Sequence, residues 1–203
     1  MQFTTTILSL ALSAICLFNQ VTGAAVSSPS PFDDKDITWT KPIFKGVLNG
    51  HAYEIEGTVT EVIAELEARH PGALAARTAA QSSLPNEVLR PRNKDGIICA
   101  PVPGQDFGWA DTPSIKTGIQ LLSSWVGDRF YIGGGPGNCG VVYCSNHAAI
   151  AVCNDRPEPI WPACQYVATY AQDIVDRCTD WPRGRTGGQE FDTDRYNIVI
   201  GRC

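Results

Sequence analysis

Apolar positions along this chain recur with different periods, and each period predicts an element. Positions 7–18 form a twelve-residue run dominated by apolar side chains, followed by the small residues Val21, Thr22, Gly23 and Ala24. That layout predicts a secretion signal over 1–23, with an uncleaved anchor as the alternative. The run is too short to span a bilayer, and no later apolar stretch reaches spanning length.

Between about position 32 and Pro71, period-two alternation gives way to a helical period. Ile37, Trp39 and Ile43 share one parity, and Tyr53 and Ile55 resume the alternation after Asn49-Gly50, a turn signal. Two short strands are expected. Thr58 and Glu61 then make a capping box ahead of Val59, Val62, Ile63 and Leu66, which share a helical face, and His70-Pro71-Gly72 ends the helix. Burying those four side chains stabilises by roughly 6 to 12 kcal/mol before entropy, so the helix must pack against something. The expectation is a small ββα unit over 24–71.

Positions 72–95 are rich in Ala, Ser, Arg and Pro without sustained periodicity and read as a linker. A clipped pro-segment is the other reading, although the chain holds no adjacent pair of basic residues.

Positions 96–203 carry the strongest patterning. Ile97-Ile98-Cys99-Ala100 begins a strand, and Asp111-Thr112-Pro113 supplies an N-cap with proline in the first turn. Ile115, Ile119, Leu122 and Val126 follow on one helical face. Strand-like runs at 130–132 and 141–144 precede a turn at Ser145-Asn146-His147 and a further run at 149–153, a hairpin. A second helix is expected over 163–178, with Tyr166, Val167, Tyr170, Ala171, Ile174 and Val175 on its buried stripe, and Tyr196 to Ile200 form a last strand. The fold class is therefore α+β: a β-α-β-β-α-β sandwich of a sheet with both helices on one face, preceded by the ββα unit.

Composition adds the covalent framework. The chain holds eight cysteines, and loss of Cys16 with the signal leaves seven: Cys99, Cys139, Cys144, Cys153, Cys164, Cys178 and Cys203. In a secreted chain these read as disulfides, and an odd count leaves one cysteine over or available for a disulfide-linked dimer. A three-residue turn at 145–147 sets Cys139 opposite Cys153, the favoured pair, while Cys144 with Cys153 stays open. Zinc is the rival reading of clustered cysteines, but no C-x-x-C pair occurs, and no metal or cofactor is expected. A net charge of −5 with no basic stripe speaks against nucleic acid as a partner.

The order of elements over 97–203, the spacing of Cys144 and Cys153, the helix bounded by Cys164 and Cys178, and the closing Tyr196-Asn197-Ile198-Val199 strand before a terminal cysteine resemble the KP4-type fungal killer toxins. Trp39-Thr40, Gly57-Thr58 with Glu61, Cys153-Asn154-Asp155, Ala168-Thr169-Tyr170-Ala171 and Gly188 to Asp192 also resemble secreted proteins of filamentous ascomycetes. The resemblance implies a secreted, cysteine-rich protein of effector or toxin-like type. It carries no active site and transfers no residue roles.

Four constellations remain as candidate chemistry. Gly135 to Gly140 matches G-x-G-x-x-G, but a strand follows it and Pro136 interrupts it, so it reads as a glycine loop ahead of a disulfide rather than a dinucleotide cradle. Glu190, Asp192 and Asp194 alternate, which places three carboxylates on one face of an extended segment with Phe191 inward. Such a cluster suits Ca²⁺ or an acid/base pair, or else guards the solvated entrance to a strand. His147, in the hairpin turn, is the candidate general base; His51 and His70 sit on a strand and at a helix end. Trp161 and Trp181, each before a proline, are candidate contact-surface residues, whereas Trp125 belongs in the core.

A strong crosslink framework beside weak catalytic patterning favours non-enzymatic binding of an extracellular protein, glycan or host membrane component. The alternatives are a small secreted hydrolase using the acidic cluster and a cell-wall-associated structural protein.

Overall fold

A computed structural model of the protein describes residues 37–75 and 93–203. The expected signal over 1–23 and most of the expected linker lie outside the described residues. The strands are β1 (Thr38–Thr40), β2 (Ile43–Leu48), β3 (His51–Glu56), β4 (Lys94–Cys99), β5 (Ala110–Asp111), β6 (Arg129–Tyr131), β7 (Asn138–Ser145), β8 (Ala148–Asn154), β9 (Thr179–Asp180), β10 (Arg185–Thr186), β11 (Gly188–Asp192) and β12 (Tyr196–Gly201). The helices are α1 (Val59–Arg69), α2 (Thr112–Ser123) and α3 (Cys164–Cys178), with a 3-10 turn at Trp181–Arg183.

The fold is α+β around a mixed six-stranded sheet ordered β1-β7-β8-β12-β11-β4, in which only the β1–β7 pair is parallel. Along β8 and β12 the side chains alternate between two buried faces. Ile150, Val152, Ile198 and Ile200 meet Ile115, Ile119 and Leu122 of α2 and Val167, Ala171 and Ile174 of α3. Ala149, Ala151 and Val199 turn the other way, onto Val102, Phe107 and the Cys139–Cys153 bridge. Both helices therefore cover one face, and the segment after β4 covers part of the other.

Local chemistry explains the element starts. Asn49 and Gly50 both have positive φ, as a two-residue β2–β3 hairpin turn requires. The Thr58 hydroxyl accepts from the Glu61 N–H at 3.3 Å while the Thr58 N–H donates to Glu61 Oε2 at 2.6 Å, the reciprocal capping box of α1. Asp111 Oδ2 accepts the Ser114 N–H at 2.9 Å and caps α2. No side chain caps α3; instead the Cys164 N–H donates to the Asp128 carbonyl at 3.0 Å.

Several expectations need correction. The ββα unit has no core of its own: β2 pairs with β6, ordered β3-β2-β6, and Phe44, Tyr53, Val62 and Leu66 share one hydrophobic cluster with Phe130, Trp125 and the helices. The 130–132 run thus serves this second sheet, where Phe44 and Phe130 are register partners whose rings pack tilted at 5.3 Å. Gly46 lets the two regions approach, since a Cβ at that position falls 1.8 Å from Asp128 Oδ1, the buried acceptor of the Tyr53 hydroxyl. Val126 lies beyond α2 and is 41% exposed. Residues 188–192 form a full strand, and β4 starts at Lys94, inside the expected linker.

Three disulfides staple this body. Cys139 bonds Cys153 across the β7–β8 ladder, Cys99 on the sheet edge bonds Cys178 at the end of α3, and Cys144 bonds Cys203 near the C-terminus. The register behind the first pair differs from the three-residue turn expected. The turn has two residues, Asn146 and His147, both at positive φ, and a bulge between Val141 and Tyr143 shifts the ladder by one. Cys144 is not a partner of Cys153. Cys164, in none of the three bridges, is fully buried, which places it away from the surface an intermolecular disulfide needs.

Candidate functional site

The acidic cluster keeps its alternation but faces the opposite way. Glu190 and Asp192 are 3% and 4% exposed beneath α3, while Phe191 points to the outer face of the sheet. Asp194 has left the strand for the exposed β11–β12 turn, where Asn93 Nδ2 donates to it at 3.1 Å. The cause is position in the sheet. β11 lies between β4 and β12 with a helix above it, so either face of the strand is covered and the carboxylates can be inward.

A buried network makes that burial tolerable. Lys94 reaches over from β4 to donate to Asp173 Oδ2 on α3 at 2.6 Å and to the Thr169 carbonyl at 3.0 Å, with Glu190 Oε2 at 3.8 Å. Its ammonium also sits 4.6 Å above the Tyr170 ring. Asp192 Oδ2 accepts the Tyr170 hydroxyl at 2.5 Å, and Tyr166 stands 2.8 Å from that hydroxyl. Asp192 Oδ1 accepts the Asp194 N–H at 2.7 Å, which fixes the turn.

Burial pushes the Glu190 carboxyl up to about 7; Lys94 opposes that rise and Asp173 adds to it. Burial also raises the phenols of Tyr166, Tyr170 and Tyr196, and the neighbouring Asp192 carboxylate raises them further. A carboxyl that titrates near neutrality is a familiar requirement for acid/base work. Here the carboxyls are sealed instead: Glu190 and Asp192 are buried, and neither lines the outer-face cavity, the Trp161 cavity or the cavity beside His51 and His70.

His147 does not join the carboxylates. It is exposed at the hairpin tip, five residues along β8 from Val152, which lies two strands from Glu190, so the separation is roughly 20 Å at standard strand spacings. His51 and His70 stack on each other at 5.2 Å. The glycine loop packs against chain rather than phosphate space, since Cβ atoms at Gly134 and Gly135 fall 2.1 and 1.9 Å from the carbonyls of Pro157 and Asn154. Among the described residues no His, Cys, Asp or Glu group is arranged to hold a metal ion.

The two tryptophans stand in separate surroundings. Trp181 is 64% exposed on the 3-10 turn, with the Lys116 ammonium 5.4 Å from its ring. Trp161 is 40% exposed and lines a cavity of about 460 Å³ with Arg129, Arg156, Tyr166, Asp194 and Tyr196. Tyr131 packs on the Trp161 ring at 4.8 Å, Lys45 lies 4.9 Å from it, and Arg129 Nη1 donates to the Trp161 carbonyl at 2.8 Å. These contacts hold an aromatic wall beside two guanidinium groups and the Asp194 carboxylate, and Arg156 lies 3.8 Å from Glu158. A lining of such mixed charge suits planar groups with polar edges on a partner. Trp161 was legible as a candidate; the arginines and tyrosines were not, because four chain segments deliver them.

No family model matches the chain, and none of the curated proteins does.

Proposed function

We propose that this is a secreted, disulfide-stabilised protein of effector or toxin-like type that acts by binding an extracellular or host target, without catalysis, through the Trp161 cavity. The observation that carries the reading is the contrast between the sealed Glu190–Asp192 pair and the open cavity of aromatic and charged side chains on the same side of the sheet. Supporting it are three disulfides and the absence, among the described residues, of a helix long and apolar enough to cross a membrane. The resemblance to KP4-type toxins points the same way. A hydrolase using Glu190 and Asp192 lacks access to substrate.

The test is a paired assay of biological activity on target cells or walls with Trp161→Ala and Glu190→Gln proteins, each checked for folding by circular dichroism. Binding through the cavity predicts at least a tenfold loss for Trp161→Ala, by the truncation cost of an interface aromatic, and none for Glu190→Gln. A hundredfold loss in Glu190→Gln with the fold unchanged points to the hydrolase instead.

A further inference from the structure

The face of the sheet away from the helices holds a second cavity, of about 500 Å³, whose lining shares no residue with the Trp161 cavity. β11 presents Gln189 and Phe191 to it, β12 presents Asn197, and Gln105, Asp155 and Ile37 also line it. Asn197 is 94% buried by its 6% exposure, and its Nδ2 donates to Asp155 Oδ2 at 3.2 Å. That bond fixes the amide orientation, because a carboxylate accepts only from the NH₂ end. The other end, Oδ1, is buried with no hydrogen-bond partner, and so is Gln105 Oε1.

The charge is incomplete in the same place. The Asp155 carboxylate receives only neutral donors, the Asn197 amide and the Gly137 N–H at 3.4 Å, and has no ion-pair partner among the described residues; the Arg195 guanidinium donates instead to the Asp155 backbone carbonyl at 3.2 Å. A carboxylate and two unpaired carbonyl oxygens make a cavity of acceptors. An alkylammonium carries three donors and no acceptor, on an apolar stem that fits walls such as Phe191 and Ile37.

We infer that this cavity binds the cationic side chain of a basic peptide, with the ammonium of a lysine set against Asp155, Asn197 Oδ1 and Gln105 Oε1. A buried acceptor without a partner costs free energy, and a donor on a ligand recovers it. The site is independent of the Trp161 cavity, since Tyr196 and Asn197 point to opposite faces of β12.

The test uses the ¹⁵N-labelled full-length secreted protein, followed by NMR at the Asn197 and Gln105 side-chain amides. The probes are acetyl-Ala-Lys-Ala amide, its norleucine analogue and a neutral oligosaccharide. The lysine peptide is expected to shift both amides and to bind at least about tenfold more tightly than the norleucine peptide, with Asp155→Asn cutting its affinity by about tenfold or more. Gln105→Leu, in a loop, provides a second variant and is expected to weaken binding severalfold. Equal binding of the norleucine peptide, preference for the oligosaccharide, no shift with the lysine peptide, or full affinity in both folded variants overturns the inference.

Discussion

The two faces of β11 carry opposite chemistry within five residues. Toward α3 the strand offers Glu190 and Asp192, buried and tied to Lys94 and the tyrosines; toward the outer cavity it offers Gln189 and Phe191. The more strongly charged face is the structural one. Carboxylates taken out of water are worth keeping only where cations and hydroxyls meet them, so they mark a cohesive interior. Glu190 Oε2 on the helix side also lacks a hydrogen bond, but it lies beside Lys94 under α3, whereas the unpartnered amide oxygens of Gln105 and Asn197 belong to residues that line an open cavity. Residue charge alone is a poor guide to a site; unmet bonding capacity beside open space is a better one.

The largest expected effect lies on the helix side. Cys99 and Cys178 close 79 residues and pin the end of α3 to β4, so the double serine variant should lose about 4 kcal/mol in chemical denaturation. The Cys139–Cys153 bridge, on the outer-cavity side, closes 14 residues and should cost about 3 kcal/mol. A larger loss for the outer bridge would reverse the comparison.

Next comes Asp192→Ala, which strands buried hydroxyls and frees the β11–β12 turn. It should cost about 2 to 3 kcal/mol by thermal melting, with Tyr170→Phe about half as costly.

Glu190 sharpens the same comparison through pH. Its folded value, about 7, lies above the ordinary carboxylate value of 4.5. The folded state therefore holds the proton more tightly than the unfolded chain. The associated stability is fully present below about pH 4.5 and is lost as pH rises through about 7. Wild-type protein should lose on the order of 2 kcal/mol across that window, and Glu190→Gln should flatten this slope. Smallest of all, Phe191→Ser on the outer face should cost under about 1 kcal/mol, because that side chain is half-buried beside a cavity.

Much of the local structure was legible because it depends on neighbours in sequence. Thr58 with Glu61, Asn49-Gly50 and Asp111 ahead of Pro113 each satisfy backbone groups within a few residues, and each sits where the pattern puts it. Cys139 was matched with Cys153 by a turn one residue too long, and the bulge after Val141 supplied the missing shift. The illegible parts are long-range. Nothing near Phe130 says that its strand pairs with Phe44, and Lys94 sits in a stretch that reads as linker although it is the cation that makes Glu190 bearable. Alternation at 190–194 gave the parity of the carboxylates but not their side, since a strand with two covered faces has no hydrophobic face to orient it. Arg129, Arg156 and Tyr166 reach the Trp161 cavity from three different segments and share no sequence signal.

The most direct measurement is carbodiimide labelling of carboxyl groups in the folded protein with an amine tag, read by peptide mass spectrometry. The exposed Asp194 and Asp106 should be labelled, while Glu190 and Asp192 should stay protected until the disulfides are reduced and the chain is unfolded. Labelling of Glu190 in the native protein at the rate of Asp194 would contradict the sealed network and return the acidic pair to the list of groups that can meet a substrate.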